Sequence, residues 1–483
     1  MNLFAEIDDP TDLDRIRGVI AASERPGALV PLGISQLRIS ADASNMVAHE
    51  LATLLDNQGK PVDGARVVVL MDSTPIYKAT TNLKESVVAQ LRERFNVTPV
   101  VLGDTHHLLA DDTSLDAATA ALAGVDAVVS VGSGTISDIA KVASHRSGNI
   151  PYVMVQTAAS VDGYTDNVSV ILRAGAKRTI DSRWPDVVLA DTTTIATAPR
   201  ELNTSGFGEL LSLFTAPADW WLASQVGTDT SFHTTPRDLL LTFAGNPGEW
   251  GAGIGEGNTA AVEQLTRVLA IRGIGTGIAG STACLSGMEH LISHMLDMYA
   301  VAHHHEIGLH GTQVGVASVV GATAWEYLLE NIRANRAISA SVDSTQLKAI
   351  VESVFTQCDP SGALGAECWS DYSSKRVKWQ NSSTDIAALV SDADRLQSDL
   401  GAMMPSSRNL AEGLARAGAA VSFHDLDDWV TADIWRWAVK NCLYMRNRVT
   451  IVDLLAELGW WTDADVDQVL GRVEALTREL THV

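Results

Sequence analysis

Before about residue 195, short apolar runs alternate with stretches of helical periodicity. Arg66-Val-Val-Val-Leu-Met71, Thr98-Pro-Val-Val-Leu102, Asp126-Ala-Val-Val-Ser-Val131, Tyr152-Val-Met-Val-Gln156 and Asp186-Val-Val-Leu-Ala190 carry few polar residues. A strand with one wet face alternates apolar and polar side chains, whereas a strand covered on both faces does not. These runs therefore predict parallel strands with helices on both sides. Ser169-Val-Ile-Leu-Arg-Ala-Gly-Ala-Lys-Arg-Thr-Ile180 reads as a hairpin with Gly175 in its turn. Beyond about residue 200 the pattern becomes helical, with long segments over Asn258 to Ile274, Val314 to Ile332, Ser382 to Gly401 and Ile434 to Leu458. The Gly-, Asn- and Pro-rich stretch Phe243 to Asn258 reads as a surface loop. The expected division is an α/β domain over residues 1–197 and an all-helical domain over 198–483.

Composition narrows the function classes. The 483 residues are 46% hydrophobic, enough for a large core in two domains. Asp and Glu number 58 against 35 Lys and Arg, a formal net charge of -23. Such a surface repels phosphate backbones and anionic lipid, so neither nucleic acid nor a membrane is an expected partner. The opening Met1-Asn-Leu-Phe-Ala-Glu-Ile-Asp-Asp9 has no basic or apolar signal region, and no run reaches bilayer length. A cytoplasmic location is expected. Cys284, Cys358, Cys368 and Cys442 lack CxxC spacing, which suits free buried thiols in a reducing compartment.

Two patterns carry chemistry. The run Asp126 to Val131 leads straight into Gly132-Ser-Gly-Thr-Ile-Ser-Asp138 and a helical continuation. Glycines without Cβ let backbone N–H groups approach a pyrophosphate, and a helix N-terminus adds partial positive charge. A tight strand-to-helix turn could also demand both glycines. Asp72, after another strand, could accept hydrogen bonds from a ribose or form a turn before Ser73-Thr-Pro75. The second pattern is His290 and His294, four apart on one helical face, with His310 in a Gly-flanked segment that would begin the next helix. Three such imidazoles could hold zinc, iron or nickel, whereas a lone histidine is usually a core or surface residue. Glu209 sits in a similar Gly-bearing context, Gly206-Phe-Gly-Glu209, while His303-His-His305 reads as a solvated loop.

Seven segments in one order then resemble the sn-glycerol-1-phosphate dehydrogenase branch of the iron-containing alcohol dehydrogenase and dehydroquinate synthase superfamily. They are Gly132 to Lys141, Gln156 to Tyr164, Gly206 to Leu211, Ala218-Asp-Trp220, Ser286-Gly-Met-Glu-His-Leu-Ile-Ser-His294, His310-Gly-Thr-Gln-Val-Gly315 and Arg446 to Leu455. The resemblance implies a Rossmann-like N-terminal domain, an all-α C-terminal domain and an active site in the cleft between them. It implies that Gly134, Thr135, Ile136, Ser137 and Asp138 hold the pyrophosphate of NAD or NADP, with Gly132 and Ser133 also among the cofactor-binding residues. Thr157 to Ser160 would line the nicotinamide end. It further implies that Asp162 and His294 contact substrate, and that Glu209, His290 and His310 ligate one divalent metal.

Such a chain would interconvert a small polyol, or its phosphate, with the ketone or aldehyde, and would form a homo-oligomer. Asp72, facing a ribose, would favour NAD, because a 2′-phosphate would meet its charge. Three departures from the family stand out. Glu209 replaces the aspartate usual among its dehydrogenases, as in dehydroquinate synthases. Thr157-Ala-Ala-Ser160 lacks the usual proline, and Asp166 adds a negative charge expected to disfavour a phosphorylated cofactor or substrate. The lysine that follows the glutamate in synthases is missing, since Glu209 precedes Leu210-Leu-Ser212, which argues against cyclase chemistry. The alternatives are a sugar-phosphate cyclase or lyase that uses NAD transiently, and a non-catalytic nucleotide-binding descendant.

Overall fold

The computed structural model describes residues 4, 7, 9–103, 108–173, 176–339 and 344–481. It divides into two compact units, one of Met1–Gly206, Asp238–Gly245 and Trp250–Gly280, the other of Phe207–Arg237, Asn246–Glu249 and Ser281–Val483. The helix Thr259–Ala279, which lies beyond residue 197, thus groups with the sheet.

The first unit is built on a six-stranded parallel sheet. Its strands are β1 (Gln36–Ser40), β2 (Arg66–Met71), β3 (Asn96–Val101), β4 (Ala127–Gly132), β5 (Tyr152–Gln156) and β8 (Val187–Asp191), in the order β1-β8-β5-β4-β2-β3. The antiparallel pair β6 (Val168–Arg173) and β7 (Ala176–Asp181) forms the predicted hairpin; Gly175 lies outside the described residues. Val67, Val69, Val129, Val131, Val153, Val155 and Leu189 share one core with the helices Val47–Asn57 and Leu83–Arg92. The alternate residues Val68, Leu70, Val128, Met154 and Val188 are equally buried on the opposite face. Burial on both faces is why these strands lack alternation.

The edges obey a different rule. β1 alternates buried Leu37 and Ile39 with more exposed neighbours, and this weak pattern gave no strand prediction. β3 contains Pro99, which has no N–H to donate, and among the described residues it pairs with β2 alone.

The second unit is helical, and two of its predicted helices are broken. Ser382 to Gly401 separates into Ser383–Leu389 and Ala393–Leu400, because Asp392 accepts from the Asp394 and Arg395 N–H groups and starts a new helix. Ile434 to Leu458 separates into Ala432–Asn441, a 3₁₀ turn over Cys442–Tyr444, and Ile451–Glu457. A Thr450/Asp453 capping box begins the last of these. The stretch read as a loop after Phe243 contains the one-turn helix Pro247–Trp250 and a 3₁₀ turn over Gly251–Gly253. Among the described residues no helix is long and apolar enough to cross a membrane.

One buried charge fixes the C-terminal end of β8. The Asp191 carboxylate accepts from Lys78 Nζ at 2.6 Å, Ser44 Oγ at 2.6 Å and Thr194 N at 3.0 Å. Asp191→Ala should cost about 2–4 kcal/mol, since it removes these bonds and leaves a partly buried ammonium. An unchanged urea midpoint for the first unit, followed by circular dichroism, would contradict this assignment.

Candidate functional site

In the first unit the strand order reverses between β2 and β4, the place where open parallel sheets leave a crevice beyond their carboxyl ends. Met71 pairs with Val131, so Asp72 and Gly132 leave neighbouring strands side by side. Ser133 is extended and makes no side-chain cap to the helix Gly134–Arg146. The first N–H groups of that helix therefore point from a turn of the kind that receives phosphate. A Cβ on Gly134 would lie 3.0 Å from Val161 Cγ2, and one on Gly132 2.8 Å from Ile136 Cβ, so packing also demands these glycines.

Asp72 accepts from Thr74 N at 3.2 Å and pairs with Lys84 Nζ, which also reaches the Asp72 and Thr74 carbonyls. Its carboxylate is both a turn former and one half of an ion pair. The charge expected to repel a 2′-phosphate thus has a buried ammonium beside it. Asp166 has a similar fate: Lys141 Nζ lies 2.6 Å away, and also bonds Gly163 O and Val168 O. Burial opposes the charge of Lys141, but Asp166 and Asp138 outweigh it and raise the ammonium above the ordinary lysine range. The repulsion expected from Asp166 is therefore corrected to an internal ion pair.

Thr157 N donates to Gly132 O, and Ala159 N donates to the Asn203 carboxamide, which in turn holds Ile195 O. Ser160 Oγ meets the buried Tyr164 hydroxyl at 3.1 Å. Gly206 lets its helix approach this loop, for a Cβ there would fall 1.7 Å from Ala159 O. Asp162 pairs at 3.2 Å with Arg272 Nη2 from Thr259–Ala279. Sequence reasoning missed Arg272, although an arginine set among Leu269, Ile271 and Ile274 was a readable signal.

The second unit brings Glu209, His290 and His310 together: one ligand atom from each lies within 4.8 Å of the others. Glu209 is in the last turn of Arg200–Leu210, His290 in the first turn of Met288–Ala302, and His310 opens His310–Arg333. His290 Nε2 is 3.3 Å from Glu209 Oε1, and His310 Nε2 is 3.9 Å from Glu209 Oε2. Ligand atoms around a tetrahedral ion with bonds of ~2.1 Å stand roughly 3.4 Å apart, so these separations need little adjustment. The extra methylene of Glu209 does not prevent it from reaching both rings.

Neighbouring groups fix both imidazole tautomers. Glu289, fully buried, accepts from His290 Nδ1 at 2.8 Å, from Gly287 N at 2.6 Å and from the Thr215 hydroxyl at 2.8 Å. The Ser293 hydroxyl donates to Gln313 Oε1 at 2.7 Å and hence accepts from His310 Nδ1 at 2.9 Å. Both rings therefore keep their lone pair on Nε2, on the side of Glu209. A carboxylate with two such imidazoles fits a divalent ion with a coordination position left open.

The backbone around this triad is also held. Asp219 accepts from Met288 N and Ile451 N, each at 2.9 Å, and Arg448 donates to Ser286 O and to Thr282 Oγ1. Burial pulls the Arg448 guanidinium down to about 10. Arg446 and Arg448 precede Ile451–Glu457 rather than lying on a helix. The glycines do the closest work. A Cβ on Gly208 would lie 2.2 Å from Gly311 O, and one on Gly315 2.7 Å from Gly208 Cα, so only bare backbone lets the helices bearing Glu209 and His310 approach.

His294 lies beside this triad, its ring stacked on His310 at 5.5 Å between centroids and its Nδ1 4.0 Å from Asp297 Oδ2. His294, Asp297 and His310 form a second group of ligand atoms within 4.8 Å. His310 has one lone pair, so the two groups cannot both use it. Sequence reasoning missed Glu289, Ser293, Gln313 and Asp297, each within four residues of a singled-out histidine. His303, His304 and His305 are exposed.

Two outcomes follow for this triad. Gly208→Ala should weaken divalent-ion binding at least about tenfold while helical content is retained; wild-type affinity in a chelator competition would contradict the close-approach explanation. Without a cation His290 takes a proton: burial opposes its charge, but Glu209 and Glu289 prevail and lift it to about 9. An incoming ion must displace that proton, so affinity should rise with pH, by up to about tenfold per unit, between pH 6 and 8. A flat profile over that range would count against it.

An iron-containing alcohol dehydrogenase family model matches residues 43–199. The glycerol-1-phosphate dehydrogenase [NAD(P)+] of Haloquadratum walsbyi is 33% identical over 291 residues, covering 59% of this chain and 81% of that protein. The protein of the same name from Bacillus licheniformis is 24% identical over 438 residues, covering 89% of this chain and 90% of that one. Among solved structures, the glycerol dehydrogenase of Schizosaccharomyces pombe shares the fold with a TM-score of 0.59 at 15% identity, covering 93% of this chain and 91% of that one. A probable glycerol dehydrogenase from Sinorhizobium meliloti does so with a TM-score of 0.55 at 16% identity, covering 93% and 98%. On the fold, the donor set and these likenesses together, the chain belongs to the glycerol-1-phosphate dehydrogenase branch of the iron-containing alcohol dehydrogenase family.

Proposed function

We propose that this protein is an NAD(P)- and metal-dependent oxidoreductase that interconverts glycerol 1-phosphate, or a closely similar polyol phosphate, with its ketone. The observation that carries this is the triad of buried Glu209 and His290 with half-buried His310, both rings holding their Nε2 lone pairs towards Glu209. When bound, a divalent ion supplies Lewis acidity to a substrate oxygen and the nicotinamide carries the hydride.

The chain's own residues do the rest. Glu209 contributes the one negative charge among the three ligands, and Glu289 and Ser293 keep both rings oriented so that no reorganisation is needed. His294 turns Nδ1 towards Asp297, leaving Nε2 as the ring atom to receive or return the substrate hydroxyl proton. In the first unit, the N-terminus of Gly134–Arg146 receives the pyrophosphate, and the loop Thr157 to Ser160 positions the nicotinamide. Asp162, held by Arg272, orients substrate. With Asp72 paired to Lys84, the ribose end tolerates either NAD or NADP.

The test is oxidation of NADH and of NADPH by dihydroxyacetone phosphate, using protein loaded separately with zinc, iron and nickel. Reduced cofactor should disappear in step with ketone. Glu209→Ala and His310→Ala should each lose roughly a hundredfold or more in rate together with their metal. Turnover of a sugar phosphate with no net change in NADH would favour cyclase or lyase chemistry, and wild-type metal content in both variants would remove the ligand assignment.

A further inference from the structure

Lys141 is fully buried in the first unit, and the chemistry above gives it no part. It stands on the helix Gly134–Arg146, about two turns from the glycine turn at its start. A buried ammonium is costly unless its hydrogens are bonded and its charge is paired. Here Nζ donates to Gly163 O at 2.6 Å, to Asp166 Oδ1 at 2.6 Å and to Val168 O, which engages all three hydrogens, and Asp138 Oδ1 stands 3.2 Å away. Three of these four partners lie on one segment, Gly163 to Val168, which leads from β5 into β6.

Asp162 immediately precedes that segment. A second helix, Thr259–Ala279, grips it there: Arg272 Nη2 pairs with Asp162 Oδ2 at 3.2 Å, and Ala270 O accepts from the Thr165 hydroxyl at 2.7 Å. A Cβ on Gly273 would lie 2.4 Å from Asp162 O, so the segment runs directly on the helix backbone. The Tyr164 hydroxyl meets Ser160 Oγ at 3.1 Å. Burial pushes that phenol up, against the pull of the Ser160 hydroxyl and of the Gly134 N–H in the glycine turn. Residues 160–168 are thus held between two helices, one of which begins at the turn assigned to the pyrophosphate.

We infer that Lys141 is a positioning residue for the proposed reaction: it holds the Asp162 segment in register with the glycine turn, so that substrate and cofactor meet at a fixed separation. This rests on the dehydrogenase reading of Asp162 and of that turn. The ammonium does the holding, because two of its three bonds go to backbone carbonyls, and Asp166 serves as its counter-ion. Losing the ammonium would loosen the segment and leave the turn intact. Its loss therefore acts on the rate of the bound complex rather than on cofactor affinity.

The test compares metal-loaded variants in the reduction of dihydroxyacetone phosphate by NADH. Asp166→Asn keeps an acceptor for Nζ and should change kcat by less than about threefold. Lys141→Met combined with Asp166→Asn removes the ammonium without stranding Asp166, and Asp138 keeps its bond from Val170 N. That double variant should lose at least about tenfold in kcat, while the Kd for NADH, read by fluorescence titration, stays within about threefold. Hydrogen exchange gives a readout that needs no turnover: amides of Gly163 to Ser169 should exchange at least about tenfold faster in the double variant, with β4 and β5 unchanged. If the wild type does not oxidise NADH with this ketone, the function reading falls and exchange decides whether Lys141 holds the segment. Should the double variant not fold by circular dichroism, Lys141→Gln with Asp166→Asn, whose amide ends one atom short of Nζ, takes its place under the same criteria. The inference is overturned if the double variant keeps wild-type kcat, if NADH affinity falls in step with kcat, or if exchange of the segment is unchanged.

Discussion

A carboxylate that is 3% exposed and faces two imidazoles sets the terms for the second unit. An ionised carboxyl group is costly to bury unless it is paired, and here the pairing is with rings whose other nitrogens are already occupied by Glu289 and Ser293. Without a cation, the balance falls on His290, which holds a proton well above its ordinary range. With a divalent ion, the same lone pairs converge on it. Under the proposed assignment the ligands are prepared in advance and the ion completes the charge, which is the condition for tight and pH-dependent metal capture.

That arrangement depends on bare backbone. Gly208 packs on Gly311 and Gly315, and Gly206 packs on Ala159, at separations that no side chain could share. The Gly-Phe-Gly-Glu and His-Gly-Thr-Gln-Val-Gly segments are thus two sides of one close helix contact as well as carriers of the proposed ligands. Asp219 and Arg448 then fix the start of Met288–Ala302 through backbone hydrogen bonds. Removing that support would let His290 move even with its own side chain intact.

Much of this was legible in the sequence, and the limits were physical. Unbroken apolar runs located β2, β4, β5 and β8 because those strands are buried on both faces. β1 escaped because an edge strand shows only the faint alternation of Leu37 and Ile39. The long helical readings over Ser382 to Gly401 and Ile434 to Leu458 overlooked Asp392 and the Thr450-Ile-Val-Asp453 capping signal. For the site, spacing showed His290 and His294 on one face, and resemblance joined Glu209 to His290 and His310. Neither could show Gln313 behind Ser293 or Lys141 beneath Asp166, because those partners become neighbours only on folding, and adjacency in sequence does not say that Glu289 turns its carboxylate onto His290 Nδ1.

Anomalous diffraction from crystals of the metal-loaded protein, measured at the absorption edge of the bound metal, tests the central claim most directly. One peak should lie about 2.0–2.2 Å from a Glu209 carboxylate oxygen, from His290 Nε2 and from His310 Nε2. A peak at the group formed by His294 and Asp297, or coordination of either ligand ring through Nδ1, would contradict it.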